Sequence, residues 1–274
     1  MNRLSKSMRQ QWQNQGYLHL KNVISKDEAA GYLDVANEVI ERYEAENPKV
    51  RKSGVYTIIQ TLFRTDGVDG LMDHPNLFGV ILDLMGPYLQ IMGSQIYVRY
   101  PSDGKGNLSG WHTDAGRSLA QVRVAPDSLP LNFKIQFFLT DILEENHANF
   151  CLVPCSHRQP VPKGSLPRNE TPPGGFQLIA EAGDCAIFPN TLWHAVAPNH
   201  SGVVRRSITF RYGQMWCRPY DYEKCPENVL ARMTTRQRRL MGDLGESCTA
   251  TDYFKPTDQI EVIMDGLNFE CPNI

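Results

Sequence analysis

The spacing of apolar residues changes near residue 90, and this change limits the folds open to the chain. Before it, Ser25 and Glu28 form the capping-box pattern that begins a helix. The apolar stripe of that helix consists of Ala29, Tyr32, Leu33, Ala36, Ile40 and Tyr43. A second helix is predicted from Leu77 to a stop at Gly86 and Pro87. The first third of the chain is therefore expected to be helical.

After residue 90 the chain consists of short β-rich runs separated by turn residues. These runs are residues 94–100, 133–140, 150–153, 185–188 and 205–212. Their spacing predicts a jelly-roll, so the fold class is mainly β with flanking helices and an N-terminal helical layer. A last helix is predicted over residues 227–241.

The length of 274 residues is within the range of one large β domain. We expect a single domain over 1–274, with a helix-rich part at 1–90, a jelly-roll core at 91–216 and a C-terminal helix and tail at 217–274. Residues 158–175 contain five prolines and three glycines, and a loop of this length in a compact domain is usually functional.

Charge and cysteine usage exclude several classes of partner. A formal net charge of -2 provides no global field that would attract nucleic acid or an anionic membrane. The N-terminus lacks the apolar stretch of a secretory signal, and no run approaches the roughly 18 apolar residues of a membrane span. The seven cysteines are scattered and are read as free thiols. These features predict a cytoplasmic protein with no nucleic-acid or membrane partner.

The segment Trp111-His112-Thr113-Asp114 places a histidine and a carboxylate two residues apart, after a Gly/Ser-rich turn where a strand is expected to begin. Side chains i and i+2 of a strand share a face, so both could reach one metal ion. His-x-Asp pairs also arise by chance, and a metal site therefore needs a third ligand.

His194 is the candidate third ligand because a turn and an apolar strand deliver it, and Arg205 follows eleven residues later. Two histidines and one carboxylate on one side of a metal are the arrangement of non-haem Fe(II) oxygenases, which leaves positions for a bidentate cosubstrate and O2. An arginine can then clamp the far carboxylate of a dicarboxylate cosubstrate.

With these residues in place, the sequence resembles the phytanoyl-CoA dioxygenase family over nearly its whole length. The family-like segments are residues 15–28, the Trp-His-Thr-Asp motif, residues 139–146 followed by 153–157, and the spacing from His194 to Arg205. The resemblance implies a double-stranded β-helix, cupin-like fold that uses Fe(II), 2-oxoglutarate and O2, with ascorbate supporting activity. It also implies oxidation of a C–H bond with release of succinate and CO2.

The resemblance assigns roles to individual residues. The implied iron ligands are His112, Asp114 and His194, and the implied 2-oxoglutarate contacts are Arg205, Ser207, Asn149 and Gln60. Trp216, which follows the strand that carries Arg205, is the predicted substrate contact. His147 and Cys155 stand where the family usually has glycine, so the shape of these loops is expected to differ.

Strand parity separates Arg205 from its neighbour, because adjacent residues point to opposite faces of a sheet. One face carries Arg205, Ser207, Thr209 and Arg211, and the other carries Arg206, Ile208, Phe210 and Tyr212. The first face is too polar for a dry core and is predicted to line a cavity. The second is predicted to pack against the N-terminal helices.

Several functions remain open at this point. The favoured one is hydroxylation or desaturation of a small natural-product scaffold, since the chain lacks the basic patch that the phosphates of an acyl-CoA would need. Acyl-CoA hydroxylation and a non-oxidative jelly-roll that isomerises or binds its ligand are the alternatives. A halogenase is disfavoured, because it would need a small residue in place of Asp114 so that a halide could bind.

Overall fold

The computed structural model describes residues 2–102, 109–114, 122, 124–125, 128–159 and 170–245. Most of the predicted loop at 158–175 therefore lies outside the described residues. The α-helices are α1 Lys6–Gln15, α2 Lys26–Glu46, α3 Val50–Ser53, α4 Thr61–Arg64, α5 Phe78–Met85, α6 Glu227–Leu230 and α7 Thr235–Leu240. Short 3-10 helices occupy Asp69–Leu71 and Ser156–Arg158.

The strands form two antiparallel sheets. They are β1 Leu18–Leu20, β2 Val55–Ile59, β3 Leu89–Arg99, β4 Ser109–His112, β5 Asn132–Phe138, β6 Phe150–Leu152, β7 Phe176–Gln177, β8 Cys185–Pro189, β9 His194–Val196 and β10 Arg205–Gln214. The larger sheet has the order β1-β8-β5-β10-β3-β2, and the smaller has the order β4-β9-β6-β7. Successive strands alternate between the sheets along much of the chain, which is the predicted jelly-roll.

The helices cover the outer face of the larger sheet, as predicted for an N-terminal helical layer. Ala36 and Ile40 of α2 and Ile81 of α5 share one buried core with Ile208 and Phe210 of β10. The capping box that opens α2 is present, because Ser25 accepts from the Glu28 N–H and Glu28 accepts from the Ser25 N–H. Amphipathic helices of this kind are stabilised mainly by such packing.

Strand parity on β10 is confirmed. Ile208, Phe210 and Tyr212 are fully buried in the core under the helices, whereas Arg205 and Ser207 belong to the opposite face. Neighbouring strands follow the same alternation, since Ile96 and Val98 of β3 and Phe133, Ile135 and Phe137 of β5 also face the helices. The interior face is therefore largely polar on β3, β5 and β10, whereas Ala186 and Phe188 of β8 pack there against Phe150 and Leu152 of the smaller sheet.

Several boundaries differ from those predicted. Residues 227–241 form two short helices, α6 and α7, because Thr234 begins the second one with a capping box of its own. The helix α1 and the strands β1 and β2 were not predicted. Both strands extend the larger sheet at its edges, although they lie in the part of the chain expected to be helical. In the described part of the chain, no helix has the length and apolar content needed to cross a membrane.

The N-terminal helix docks onto the loop that follows β6. Gly16 ends α1 in the left-handed region at φ 80°, and the His157 ring occupies the space that a Cβ at Gly16 would need. Nε2 of His157 lies 3.3 Å from the Gln13 carbonyl oxygen. His157 therefore joins the loop after β6 to the backbone of α1.

Candidate metal centre

Two neighbouring strands of the smaller sheet bring the histidines together. His112 is the last residue of β4 and pairs directly with His194, the first residue of β9. The ring centroids are 4.3 Å apart. Asp114 follows in the turn after β4 and not within a strand, so the argument from strand parity for His112 and Asp114 was wrong. The turn nevertheless places the Asp114 carboxylate next to both imidazole rings.

The three side chains form a compact cluster. One ligand atom from each of His112, Asp114 and His194 lies within 4.8 Å of the others. Nε2 of His194 is 3.7 Å from Oδ2 of Asp114, and Nε2 of His112 is 4.0 Å from Oδ1. Two imidazoles and one carboxylate in this arrangement fit a divalent transition metal bound on one face.

Backbone carbonyls orient both rings toward the cluster. Nδ1 of His112 lies 2.9 Å from the Gly110 carbonyl oxygen, and Nδ1 of His194 lies 2.9 Å from that of Leu192. Because a carbonyl only accepts, each Nδ1 carries the proton, which leaves the Nε2 lone pair directed at the other ligands. A hydrogen bond from the second ring nitrogen is the usual partner of a metal-binding histidine.

The two histidines differ in exposure. Phe150 and Phe188 enclose His194, with ring centroids 5.7 Å and 5.0 Å from the imidazole. Burial lowers the pKa of His194 to about 3, although the Asp114 charge opposes the shift. His194 is therefore neutral at pH 7, as a metal ligand must be. His112 has 50% of its side-chain surface exposed, so the cluster opens toward solvent on that side.

Two cations hold the Asp114 carboxylate. Nζ of Lys134 lies 2.7 Å and a guanidinium nitrogen of Arg211 lies 3.2 Å from Oδ2 of Asp114. Burial alone would raise the pKa of Asp114, but the charges of Lys134 and Arg211 outweigh it and hold the pKa well below its usual value. The carboxylate is consequently ionised and fixed in place without a metal.

Arg205 lies on the interior face of β10 and is almost completely buried. Its Nε and one terminal nitrogen have no hydrogen-bond partner among the described residues. The guanidinium carbon is 6.0 Å from the centre of the Phe138 ring. Ser207, two residues along the same face, is also buried with its hydroxyl unpaired. A buried cation beside an unpaired hydroxyl fits the carboxylate of a ligand.

The two other predicted cosubstrate contacts are occupied by other partners. The Asn149 amide donates to the Glu144 and Leu178 carbonyls, and its oxygen accepts from the His147 N–H. The Gln60 amide donates to the Asp221 carbonyl, and Gln60 itself has φ 59° at the start of α4. Both side-chain amides therefore donate hydrogen bonds to backbone carbonyls. Their contact with a cosubstrate stays a prediction.

Trp216 lines a cavity that does not include the clustered side chains. It is 57% exposed, and it lines a surface cavity of about 770 Å³ together with Gln90, Cys217, Tyr222 and Arg238. The residues that line this cavity include none of the three clustered side chains. A role in binding substrate stays a prediction.

The backbone was compared with the family pattern at Cys155 and His147, where glycine is usual. Cys155 has φ 66°, in the left-handed region that favours glycine. In the preceding loop the positive φ values are at Asn146 and Ala148, with 62° and 58°, and not at His147. Asn146 and Ala148, and not His147, therefore stand in a conformation suited to glycine.

Lys134 was not predicted as part of the site, and Arg211 was predicted only to lie on the face of β10 that lines the cavity. Lys134 and Arg211 are direct partners in the register of β5 and β10. A usable signal was present in β5, where Asn132, Lys134 and Gln136 alternate with large apolar residues. Such alternation in a buried strand indicates a polar interior face. The five cysteines that the structure describes are free thiols, as predicted.

A family model described as phytanoyl-CoA dioxygenase (PhyH) matches residues 12–207. The chain belongs to the phytanoyl-CoA dioxygenase family. This result confirms the family predicted from the motifs, and the match spans all three clustered residues. No curated protein matches the sequence of this family member.

Solved structures share the fold of this family member. One is the non-heme alpha ketoglutarate dependent carbocyclase SnoK from nogalamycin biosynthesis, with a TM-score of 0.61, 20% identity, and coverage of 84% of this chain and 91% of that chain. HygX from Streptomyces hygroscopicus, with nickel and 2-oxoglutarate bound, has a TM-score of 0.64, 16% identity, and coverage of 80% and 90%. The epimerase SnoN from nogalamycin biosynthesis has a TM-score of 0.57, 18% identity, and coverage of 77% and 80%. These similarities confirm the predicted cupin-like jelly-roll.

Proposed function

We propose that this protein is an Fe(II)- and 2-oxoglutarate-dependent oxygenase that hydroxylates or desaturates a small organic molecule. The whole chain, 1–274, is a single oxygenase domain in this proposal. The observation that carries it is the cluster of His112, Asp114 and His194, with ligand atoms within 4.8 Å of one another and both Nε2 lone pairs directed inward. Three ligands on one side leave room for a bidentate cosubstrate.

Arg205 and Ser207 are the proposed anchors of the 2-oxoglutarate C5 carboxylate. Arg205 is buried and lacks a partner for two of its nitrogens among the described residues, and the Ser207 hydroxyl on the same face is unpaired as well. A dicarboxylate would satisfy these donors through one end while its 2-oxo acid end reaches the metal. The bound HygX structure, which contains nickel and 2-oxoglutarate, is consistent with this use of the fold.

Other residues of the chain orient the ligands and exclude water. Lys134 and Arg211 fix the Asp114 carboxylate, while Phe150 and Phe188 enclose His194. The bound iron would supply activation of O2, with two electrons from 2-oxoglutarate. The protein supplies the placement of the substrate C–H bond, and the exposed side of His112 offers the route by which a substrate can approach.

A natural-product scaffold is the proposed substrate class. Carbocyclase and epimerase neighbours come from nogalamycin biosynthesis, which supports a substrate of this kind and widens the range of oxidative outcomes to be tested. An acyl-CoA hydroxylase is the second candidate, because the description of the matching family names phytanoyl-CoA. Asp114 supports oxygenation or desaturation over halogenation, since a carboxylate fills the position that a halide would take.

Succinate release provides the test. The protein is incubated with Fe(II), ascorbate and 2-oxoglutarate, and a panel of natural-product scaffolds and acyl-CoA thioesters is screened for substrates that stimulate succinate formation. Product masses then distinguish hydroxylation, desaturation and chlorination. Stimulation by an acyl-CoA alone would favour the second candidate. Conversion of a panel compound without succinate formation would contradict the oxygenase proposal and favour a non-oxidative function.

A further inference from the structure

A second arginine lies beside Arg205 on the interior face of the larger sheet. Arg99 is the last residue of β3 and pairs directly with Arg205 in the antiparallel register. Directly paired residues point to the same face of a sheet. On β3, Ile96 and Val98 face the helices, so Arg99 extends from the opposite face, as Arg205 does.

Neither guanidinium has a carboxylate partner among the described residues. Nε of Arg99 and Nε of Arg205 are both buried without a hydrogen bond. Burial and the positive charge of Arg99 together lower the pKa of Arg205 to about 9. Burial also lowers the pKa of Arg99. Two like charges therefore stand side by side, with Arg205 almost completely buried and Arg99 half-buried.

The ionisable groups facing the two arginines do not neutralise them. The groups that act on both are the Tyr97 phenol and the Cys151 thiol. Burial raises the pKa of Cys151 to about 12, so the thiol is uncharged at pH 7. The Tyr97 hydroxyl donates to Oε1 of Gln95 at 2.6 Å. An uncompensated pair of adjacent cations, one buried and one half-buried, is costly, and an anionic ligand removes that cost.

We propose that Arg99 is a second cosubstrate-binding residue, which shares the C5 carboxylate of 2-oxoglutarate with Arg205. This inference rests on the proposed function and adds a residue to it. A carboxylate has lone-pair sites for about four hydrogen bonds, enough to accept from two guanidinium groups at once. The shared anion also screens the repulsion between the two arginines. Arg99 thereby selects for a cosubstrate with a carboxylate at this end.

Paired ligands test the proposal. Anaerobic Fe(II)-loaded protein is titrated by calorimetry with 2-oxoglutarate and with 2-oxopentanoate, which keeps the 2-oxo acid but has a methyl group in place of the C5 carboxylate. The variants are Arg99→Met, Arg99→Lys and the control Arg206→Met, whose side chain lies on the other face of β10. Arg99→Met is expected to raise the Kd for 2-oxoglutarate roughly tenfold or more, equivalent to about 1.4 kcal/mol.

The Kd for 2-oxopentanoate is expected to stay the same in Arg99→Met, and Arg206→Met should leave both ligands unchanged. Arg99→Lys should lie between wild type and Arg99→Met for 2-oxoglutarate. Metal-free Arg99→Met should unfold at a higher urea concentration than wild type, because one of two repelling charges is gone. A purely structural role predicts the opposite shift.

Equal weakening of both ligands by Arg99→Met, or no weakening of either, overturns the role of Arg99 and leaves the proposed function standing. The same conclusion follows if metal-free Arg99→Met is destabilised. Wild-type protein that binds Fe(II) but neither 2-oxo acid overturns the proposed function itself, and the role of Arg99 with it.

Discussion

The ammonium group of Lys134 lies 2.7 Å from Oδ2 of Asp114, and only 9% and 11% of the two side chains are exposed. Arg211 reaches the same oxygen from the neighbouring strand. The carboxylate proposed to bind iron is therefore already compensated by two cations in the metal-free protein. Asp114 has a structural role in addition to the one proposed in metal binding.

Asp114→Ala is expected to destabilise the metal-free protein by about 3 kcal/mol, because it leaves two buried cations without their partner. Urea unfolding measures this loss. Glu223→Ala is the matched control, since it breaks an ion pair with Arg218 whose side chains are 86% and 77% exposed. Such exposed pairs contribute at most about 1 kcal/mol. Equal losses in the two variants would mean that Asp114 does not compensate the interior cations.

Arg205→Ala is expected to raise the KM for 2-oxoglutarate by roughly 30-fold or more. Truncating the cation of a buried charge pair costs on the order of 2–5 kcal/mol, and each tenfold change corresponds to about 1.4 kcal/mol. Arg206→Ala should change the KM little, because Arg206 lies on the face opposite to Arg205. If Arg206→Ala is the variant that loses 2-oxoglutarate, the cosubstrate does not bind on the interior face of β10.

His157 should make the protein less stable below neutral pH. Burial lowers the pKa of His157 from 6.5, and Nδ1 is buried without an acceptor. The unfolded chain therefore takes up a proton first as the pH falls through 6.5, so the stabilising contribution is present above that pH and is lost below it. His157→Gln removes the titration and retains a donor for the Gln13 carbonyl.

The free energy of unfolding, measured in urea at pH 7.5 and pH 5.5, should fall more in wild type than in His157→Gln. The difference can reach about 1.4 kcal/mol per pH unit below 6.5. His200→Gln, at an exposed position, should follow wild type. Parallel pH dependence of wild type and His157→Gln would show that His157 is protonated as easily in the folded protein as in the unfolded chain.

Cys155→Gly is expected to stabilise the protein by about 1 kcal/mol. The left-handed conformation costs an ordinary residue about 1–2 kcal/mol, and the greater freedom of glycine in the unfolded chain offsets part of the gain. Cys155→Ala is the control, because it keeps the Cβ and should change stability little. The midpoint of urea unfolding measures both, and a loss of stability in Cys155→Gly alone would contradict the strain inferred at φ 66°.

The sequence predicted the parts of the structure that follow from local pattern and spacing. Helix α2 begins where its capping box indicates. On β10, Ile208 and Phe210 face the helices and Arg205 faces the interior, as strand parity predicted. Strands β1 and β2 were missed because each is short and gains its stability from pairing at a sheet edge, which local sequence does not record.

Some residues of the candidate site were also recognisable from local sequence, whereas others were not. His112, Asp114 and His194 were recognisable because metal binding demands particular residue types, and their clustering agrees with that interpretation. Lys134, Arg99 and the contact of Arg211 with Asp114 were not predicted, because the proximity of these residues depends on the register between strands that are far apart in the chain. Asn149 and Gln60 were chosen by resemblance, and the structure gives their amide groups partners in loops.

The most direct test of the proposed iron centre is the visible spectrum of the protein with Fe(II) and 2-oxoglutarate in the absence of O2. Chelation of the cosubstrate to iron held by His112, Asp114 and His194 predicts a weak visible charge-transfer band in wild type. His194→Ala should lose the band, and His200→Ala, at an exposed position outside the cluster, should retain it. A wild-type protein that holds iron but shows no band with 2-oxoglutarate, or a band that survives in His194→Ala, would contradict the assignment.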